Sequence, residues 1–393
     1  MNGQLAGLAI MRSLGPLGVP LYAVDGDKAA PALRSRYCRE ALVLPFREGD
    51  TRPYLDGLLR LARRIGRHAI LIATSDETTE FVADHRDILR QHYTFQDNSP
   101  ELVRRLASKQ EMFGLALQYG VPTPHTIFPK CFRDVEQYAA TGKFPVMLKG
   151  IYGNRLQLRT NKKMVIVQTA AELFELYKEM EDPEHPNLML QEYIPGGDDQ
   201  IFIFNGYFNR QSDCLAGFTG YKVRQFPVHV GCASLGECRW NETVATTTTD
   251  FMKAIGYQGI LDIGYRFDAR DGKYKVLDIN PRIGQAFRLF VAKNNHDVAR
   301  ALYLDLTNQP QPPVERREGR RWLIEDFDLI SSLHYYQEGT LTVREWLRSF
   351  AGVEEQAWFS WRDPMPFLVM LKRMSSRFFH WASRVTGAKS PAS

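Results

Sequence analysis

The spacing of apolar residues at the start of the chain predicts a Rossmann-like unit without its first strand. A short helical pattern begins near Gly3 and Gly7, and an apolar strand over residues 19–24 stops at Asp25. A βαβ unit normally has a strand before its glycines, but only two residues precede Gly3. Either the fold tolerates this loss or the sequence begins late.

A second unit of helix and strand follows the first. Apolar residues at helical spacing cover residues 54–65, and a continuous apolar run covers residues 69–73. Ser75, Asp76 and Glu77 then give the polar and acidic signal that marks the start of another helix. The first hundred residues therefore predict an α/β unit.

From about residue 100 the pattern predicts longer strands and hairpins. One helix is predicted over residues 101–119, where it ends at Gly120. The pair Asp271-Gly272 is a turn signal between two strands. Strands are predicted at residues 144–148, 187–193, 201–208, 217–223, 230–235, 260–267 and 273–280.

Composition narrows the classes of protein to which the chain can belong. The 393 residues suggest about two to three domains, and 44% hydrophobic residues predict a sizeable core. A net charge of +5 does not require nucleic acid as a partner. Five cysteines without CxxC spacing argue against a disulfide framework or a zinc site and favour a reducing, cytoplasmic location.

The predicted hairpin carries acidic residues on one face. Side chains on a strand alternate, so Asp278 and Asn280 point the same way. If the turn sets Phe267 opposite Lys273, Asp262 lies directly opposite Asp278, and such neighbours approach to about 5 Å. The alternative is that both acids line a solvated sheet face.

Two carboxylates at that separation repel each other and call for a cation between them. Carboxylate and amide oxygens are hard ligands that suit Mg²⁺, which in turn holds phosphate oxygens. Arg282 lies two positions further along the same face and could bind the same phosphates. The sequence therefore predicts a magnesium and phosphate site on the hairpin.

Several cations are placed where they could reach a bound anion. Lys149 ends an apolar strand, and Lys109 lies on the predicted helix. Lys222 and Arg224 flank Val223, so they are expected on one strand face, as an anion clamp. In each case an ordinary solvated side chain is the alternative.

The segment from Leu188 to Gly197 predicts a buried strand that runs into a Pro/Gly turn. Such a hinge can offer backbone groups to the edge of an adenine ring. Asp198, Asp199 and Gln200 follow at once and could reach ribose hydroxyls. An ordinary strand and turn would give the same pattern.

Taken in order, these features resemble the ATP-grasp superfamily over residues 100–300, with a matching pre-ATP-grasp domain before it. The stretches QEYIPGGDDQ at 191–200 and GYKVRQFP at 220–227 look similar to the carboligase-like branch that includes D-aspartate ligases. The loop after Lys149 is poorer in glycine than the phosphate-covering loop usual in that family.

The resemblance implies a role for each matching residue. It implies phosphate contacts from Lys109, Lys149 and Lys222, an adenine hinge at Gln191, Glu192 and Ile194, a ribose contact from Asp199 or Gln200, Mg²⁺ (or Mn²⁺) ligands Asp262, Asp278 and Asn280, and Arg282 beside the transferred phosphate. Arg288 is a further candidate, for holding the carboxylate of the substrate.

The implied fold is α/β (α+β), with a Rossmann-like pre-ATP-grasp domain over residues 1–98. A two-lobed ATP-grasp domain with antiparallel sheets follows over residues 99–308, and a linker with a helical C-terminal extension over residues 309–393. The implied reaction is the ligation of a small-molecule carboxylate to an amine through an acyl phosphate, with ATP consumed. A homodimer is a further interpretation.

The C-terminal segment and the N-terminal unit leave other interpretations open. Residues 364–389 contain no acid and interleave basic with apolar side chains. They predict either a basic amphipathic helix on an anionic membrane surface or a helix packed on the body of the protein. Two other functions remain as hypotheses: a nicotinamide-dependent oxidoreductase that uses Asp25, and a non-catalytic ATP-binding module recruited to a membrane or partner.

Overall fold

The computed structural model describes residues 4–386, with side chains as far as residue 375. The N-terminal part contains two separate pairs of parallel strands, β1 with β2 and β3 with β4. Its elements are α1 (Leu5–Leu14), β1 (Leu21–Asp25), β2 (Cys38–Val43), α2 (Arg52–Ile65), β3 (Ala69–Ile70), α3 (Asp76–Asp84), α4 (Arg86–Leu89) and β4 (Tyr93–Thr94).

The second part is built around a four-stranded sheet with the strand order β5-β8-β6-β7. Helices α7 and α9 pack on it through a cluster of buried apolar side chains. Its elements are α5 (Pro100–Ala107), α6 (Lys109–Gln118), β5 (Thr126–Ile127), α7 (Phe132–Thr141), β6 (Val146–Gly150), α8 (Gly153–Thr160), β7 (Met164–Val167), α9 (Ala170–Met180) and β8 (Leu188–Glu192).

The prediction of a single helix over residues 101–119 is wrong, because the helix is interrupted at Ser108 and two helices, α5 and α6, form instead. Ser108 has an extended backbone (φ −79°, ψ 116°), and its hydroxyl accepts a hydrogen bond from the backbone N–H of Glu111. The side chain of Ser108 therefore caps a second helix, α6. This break makes Lys109 the first residue of α6 rather than a residue of a helix interior.

A seven-stranded sheet forms the centre of the molecule, in the order β13-β12-β9-β10-β11-β14-β15. Every residue of the interior strand β9 is buried, because apolar clusters cover both faces of the sheet. The remaining elements are β9 (Ile201–Phe208), β10 (Cys214–Phe226), β11 (Cys232–Cys238), α10 (Glu242–Ala254), β12 (Gly259–Asp268), β13 (Lys273–Asn280), α11 (Val298–Leu306), β14 (Arg321–Leu323), α12 (Glu325–Gln337), α13 (Val343–Ser349), β15 (Val353–Gln356) and α14 (Met365–Thr386).

The C-terminal extension, for which helices were predicted, contains α12, α13 and α14 but also two strands. Strands β14 and β15 extend the central sheet, and β14 pairs directly with β11. These last two strands are parallel to each other, whereas the other pairs of this sheet are antiparallel. The architecture is therefore a mixed α/β fold in which the segment after residue 309 completes the main sheet.

The basic helix α14 packs on the N-terminal part at its start. Met370 is only 4% exposed, and Arg373 forms an ion pair with Asp27 at 3.2 Å. These contacts fit the packed helix rather than a membrane-bound one. The basic and apolar residues from Arg377 onward lie outside the described side chains. Within the described residues, no helix has both the length and the hydropathy needed to cross a bilayer.

Candidate active site

The acidic residues of the β12–β13 hairpin do converge, but their predicted register is wrong. Asp262 lies opposite Asn280, and Gly264 lies opposite Asp278. The turn pairs Phe267 with Tyr274, one residue away from the assumed pairing, and an irregularity after Gly264 shifts the ladder once more. Because both shifts act together, Asp262 and Asp278 are diagonal neighbours on one face instead of direct partners.

The side chain of Asn280 joins the two carboxylates. Its amide nitrogen lies 3.2 Å from Asp278 Oδ2 and 3.5 Å from Asp262 Oδ1. Two glycines leave room for this cluster: a Cβ atom on Gly264 would lie 2.5 Å from Asp278 Oδ1, and one on Gly284 would overlap the carboxylate of Asp262. A side chain at either glycine would displace an acid.

The electrostatics of the pair favour a bound cation. Burial and, second to it, the neighbouring charge of Asp278 raise the pKa of Asp262 to about 6, although the charges of Arg282 and Lys222 oppose the shift. The donor set of two carboxylates and one amide fits Mg²⁺, which prefers oxygen ligands. Rotation of the Asn280 amide by half a turn would present its oxygen in place of the nitrogen.

Two lysines lie beside the acids, Lys149 buried and Lys109 half-buried. Lys149 Nζ donates to Gln191 Oε1 at 3.1 Å, and burial together with the charge of Lys109 lowers the pKa of Lys149 to about 7. Burial also lowers the pKa of Lys109, an effect that Asp278 and Asp76 oppose. Within the described residues neither lysine forms a salt bridge, so both ammonium groups have desolvation penalties that a bound anion would offset.

Lys222 lies within electrostatic reach of both Asp262 and Lys149. Its ammonium group donates to the backbone oxygen of Gly231 at 2.7 Å and to Gln225 Oε1 at 3.1 Å. The anion clamp expected from Lys222 and Arg224 is wrong, because an irregularity in the ladder separates them. Arg224 is instead buried, with Nε 2.7 Å from Asp328 Oδ1.

The hinge after β8 is held by a residue that sequence reasoning missed. Arg266 donates through Nε to the backbone oxygen of Ile194 at 2.7 Å and through Nη2 to that of Gly196 at 2.6 Å. Arg266 lies four residues beyond Asp262 on β12, so the same strand face carries the hinge support and a candidate metal ligand. The even spacing between Asp262 and Arg266 on one strand could have identified Arg266 from the sequence.

The other hinge residues have defined surroundings. The carboxylate of Glu192 accepts hydrogen bonds from Arg270 at 2.8 Å and Lys275 at 3.0 Å, so it anchors the hinge to the β12–β13 turn. Asp199 is exposed and Gln200 half-buried. The choice between these two for a ribose contact stays open.

Arg282 binds a carboxylate from the N-terminal part, which the sequence did not predict. Its Nε lies 2.5 Å from Asp76 Oδ1, and its Nη2 lies 3.2 Å from Asn280 Oδ1. Burial opposes ionisation of Asp76, but the charge and hydrogen bond of Arg282, together with the charges of Lys109 and Lys163, outweigh it and lower the pKa of that carboxyl. Asp76 is the first residue of α3, where an acidic side chain is common because it interacts favourably with the helix dipole. Its place in the sequence therefore gave no sign that it pairs with Arg282.

The candidate role of Arg288 as a binder of the substrate carboxylate is not supported by its contacts. Its Nε and Nη2 lie 2.8 and 2.7 Å from the two oxygens of Glu355, and its Nη1 lies 2.6 Å from Asp297 Oδ2. The guanidinium is thus occupied by two protein carboxylates. Arg288 therefore connects the segment between β13 and α11 to strand β15.

The amino end of helix α8 lies beside Lys109. It begins at Gly153, and a Cβ atom there would lie 3.6 Å from Lys109 Nζ. The next residue, Asn154, donates to Glu77 Oε1 at 2.8 Å, which ties α8 to the N-terminal part. The glycine-poor loop after Lys149 therefore leads directly into a short helix beside Lys109.

Known proteins resemble this chain in sequence and in fold. No family model matches the chain. D-aspartate ligase from Enterococcus faecium (strain Aus0004) is 24% identical over 310 residues, which cover 73% of this chain and 71% of that protein.

Solved structures share the fold at lower identity. N5-carboxyaminoimidazole ribonucleotide synthetase from Thermus thermophilus has a TM-score of 0.63 and 16% identity, with 81% of each chain covered. The biotin carboxylase domain of Hydrogenobacter thermophilus 2-oxoglutarate carboxylase, solved with magnesium ADP and bicarbonate, has a TM-score of 0.62 and 16% identity, covering 81% of this chain and 71% of that one. This chain is therefore similar in sequence to a D-aspartate ligase, and it shares its fold with a carboxyaminoimidazole ribonucleotide synthetase and a biotin carboxylase domain.

Proposed function

We propose that this chain uses Mg-ATP to convert a small-molecule carboxylate to an acyl phosphate and then joins the acyl group to an amine. The observation that carries the proposal is the convergence of Asp262, Asp278 and Asn280 with two desolvated cations, Lys109 and Lys149. Acids and desolvated cations side by side suit a metal and a polyphosphate together.

Each group has a separate task in this proposal. Lys109, Lys149 and Lys222 neutralise phosphate oxygens, and Arg282 stabilises the charge on the phosphoryl group during transfer. Asp262, Asp278 and Asn280 would hold Mg²⁺, which supplies further neutralisation of phosphate charge. Lys109 and Lys149 are already desolvated before the nucleotide binds, so these charges need little reorganisation at the moment of reaction.

The chemistry requires no covalent nucleophile from the protein. A carboxylate oxygen attacks the γ-phosphorus, the bond to the β-phosphate oxygen breaks, and ADP leaves. The amine then attacks the acyl carbon, and inorganic phosphate leaves with the oxygen that came from the carboxylate. Positioning and charge stabilisation by the residues named above are the main contributions of the protein.

Asp76 has the role of a positioning residue. It fixes the guanidinium of Arg282 from the N-terminal part, while Asn280 contacts the same guanidinium from the hairpin. Arg282 is therefore oriented before any ligand binds, which lowers the entropy lost on phosphate binding. This arrangement makes the N-terminal part a component of the site.

The substrates we propose are an amino acid as the carboxylate and a second small molecule as the amine. The support is the name of the Enterococcus relative, a D-aspartate ligase. We also propose a cytoplasmic location, a homodimer, and a Rossmann-like first unit over residues 1–98 followed by an ATP-grasp unit over 99–308. The parallel strand pairs of the N-terminal part support the first unit.

An isotope experiment tests the acyl phosphate. The carboxylate substrate is labelled with ¹⁸O and incubated with Mg-ATP and an amine, and the released phosphate is analysed by mass spectrometry. The proposal predicts one ¹⁸O atom in each phosphate released. Phosphate without the label, released at the rate of product formation, would exclude an acyl phosphate.

A further inference from the structure

Helix α12 has a polar buried face and an apolar exposed face. It buries four residues that each carry a polar group: Asp328, Ser331, Ser332 and Tyr335. Among the residues that it exposes, four are large and apolar or aromatic: Leu329 at 55%, Ile330 at 39%, Leu333 at 56% and Tyr336 at 56%. A helix on the surface of a globular protein ordinarily has the reverse arrangement, with its apolar stripe toward the core.

The polar inner face is explained by its contacts with the main sheet. Arg224 Nε donates to Asp328 Oδ1 at 2.7 Å, and Arg224 Nη2 donates to Asp328 Oδ2 at 3.0 Å. The hydroxyl oxygens of Ser331 and Ser234 lie 3.0 Å apart. These contacts hold α12 on β10 and β11 without using its four exposed apolar side chains. The composition of the outer face therefore needs another explanation.

Helix α13 extends the exposed apolar surface. Trp346 Nε1 donates to Asp328 Oδ2 at 3.1 Å, so α13 packs beside α12. Val343 is 57% exposed and Leu347 is 59% exposed, one turn apart on α13. Six half-exposed side chains of this size present roughly 600 Å² of surface, which is large for a monomer and marks an interaction site. With a polar rim, this surface approaches the area of about 800 Å² that each partner contributes to a standard protein interface.

The charges around this surface are balanced. The exposed acidic and basic residues of α12, α13 and the turn between them are two of each kind: Glu338, Glu345, Arg344 and Arg348. A surface that binds an anionic membrane or a nucleic acid carries an excess of basic residues. A balanced rim around an apolar centre is instead typical of an interface between proteins.

We infer that the outer face of α12 binds the same face of a second copy of this chain, with the two helices antiparallel about a twofold axis. Ile330 and Leu333 lie at the middle of the exposed face, one turn apart. A twofold axis between them places Ile330 against Leu333 of the partner subunit, and the reverse contact follows by symmetry. The inference rests on the homodimer proposed above and names its contact surface.

The residues at the two ends of the same helix face fit this pairing. Asp326 lies four positions before Ile330, and Gln337 lies four positions after Leu333, so all four share one side of α12. An antiparallel pair therefore sets Asp326 against Gln337 of the partner subunit, where the amide donates to the carboxylate. Trp358 Nε1 already orients this carboxylate by donating to Asp326 Oδ1 at 2.8 Å. A parallel pair would instead set two Asp326 carboxylates together, which repel each other.

Sedimentation equilibrium of the full chain over a range of concentrations tests the inference. We expect a dimer, and Leu333→Glu should raise its Kd by about 100-fold, because it places two charges in the apolar centre. Leu117→Glu, at a residue of α6 that is 65% exposed, is the matched control and should leave the Kd unchanged. Far-UV circular dichroism should show the same helix content in both variants, since both leucines are exposed.

Substitutions at Gln337 test the antiparallel pairing separately. Gln337→Lys should lower the Kd by about three- to tenfold, because each Asp326 gains an ion pair across the interface. Gln337→Glu should raise the Kd by a similar factor, because each Asp326 then faces a like charge.

A chain that is monomeric at about 50 µM would overturn the inference together with the proposed homodimer. A dimer whose Kd is unchanged by Leu333→Glu would overturn the inference alone, as would equal weakening by Leu117→Glu. Equal effects of Gln337→Lys and Gln337→Glu would overturn the antiparallel pairing. The readout requires neither ATP nor turnover, so its outcome is independent of the proposed ligase activity.

Discussion

The surroundings of Lys149 favour the binding of an anion. Its ammonium group is buried, with one hydrogen bond to an amide oxygen and another lysine nearby, and its pKa is lowered to about 7. A neutral side chain at this position would avoid the desolvation penalty. The residue is thus better explained by ligand binding than by the stability of the free protein.

Replacement of Lys149 separates its effect on ligand binding from its effect on the stability of the free protein. Lys149→Met removes a buried cation and retains the apolar stem, so we expect the free energy of unfolding to rise by about 1–3 kcal/mol while ATP binding is lost. Urea unfolding and nucleotide titration measure the two effects. Lys162→Met, at an exposed lysine, is the control and should change neither. A less stable Lys149→Met protein would contradict this explanation.

The lowered pKa of Lys149 also predicts a pH dependence of ATP binding. Above pH 7 the free protein holds Lys149 neutral, and bound phosphate favours the charged form, so binding at pH 8 takes up about one proton. The affinity should then fall by up to about tenfold per pH unit above pH 7. Calorimetry in buffers of different ionisation enthalpy measures the uptake, which Lys149→Arg should abolish. Equal uptake in both proteins would refute this assignment.

At the scale of elements, the sequence predicted the β12–β13 hairpin and its acidic face but not its register. Apolar alternation identified the strands, and Asp271-Gly272 identified the turn. The ladder irregularity after Gly264 leaves no trace in the apolar pattern, because it shifts the pairing without changing which residues are apolar. The interruption of the helix at Ser108, in contrast, could have been predicted from the sequence, because Ser108 and Glu111 form the Ser-x-x-Glu pattern that marks the start of a helix.

Helix α8 carries a prediction about nucleotide binding. Asn154 ties this helix to Glu77 by one hydrogen bond at 2.8 Å, and such a bond contributes about 1 kcal/mol. Asn154→Ala should therefore raise the KM for ATP by about three- to tenfold and leave kcat nearly unchanged. Steady-state kinetics with ATP varied measures this, and Leu158→Ala at an exposed position of α8 is the control. A fall in kcat at unchanged KM would instead give Asn154 a role in the chemical step.

At the scale of the whole molecule, long-range ion pairs hold the site between three segments of the chain. Asp76 meets Arg282 across 206 residues, and Glu355 meets Arg288 across 67. These pairs could not be predicted from the sequence, because acids and bases far apart in the chain show no periodicity. Strands β14 and β15 were also missed, since their three- and four-residue lengths lie within a region of helical pattern.

The ion pairs of Glu355 with Arg288 and Arg320, called here the Glu355 cluster, lead to a prediction about stability. Glu355 accepts hydrogen bonds from Arg288 and Arg320, and Arg320 is 3% exposed. Glu355→Gln leaves two buried guanidinium groups without that charge, so we expect a loss of about 3–5 kcal/mol in the free energy of unfolding. Its exposed neighbour offers a matched control, Glu354→Gln, which should cost less than about 1 kcal/mol. Urea unfolding measures the free energy of unfolding of both variants. Equal decreases in the two would contradict a stabilising role for the Glu355 cluster.

The central claim is that this protein couples Mg-ATP to the ligation of a carboxylate and an amine. The most direct measurement is ADP release with Mg-ATP against a panel of D- and L-amino acids and bicarbonate, each with and without an amine. We predict ADP formation that depends on both substrates and on Mg²⁺. We also predict a fall of at least about 100-fold in Asp278→Ala but not in Asp250→Ala, an exposed acid on α10. Substrate-dependent ADP release at an undiminished rate in Asp278→Ala, or reduction of a nicotinamide cofactor without ADP release, would contradict the claim.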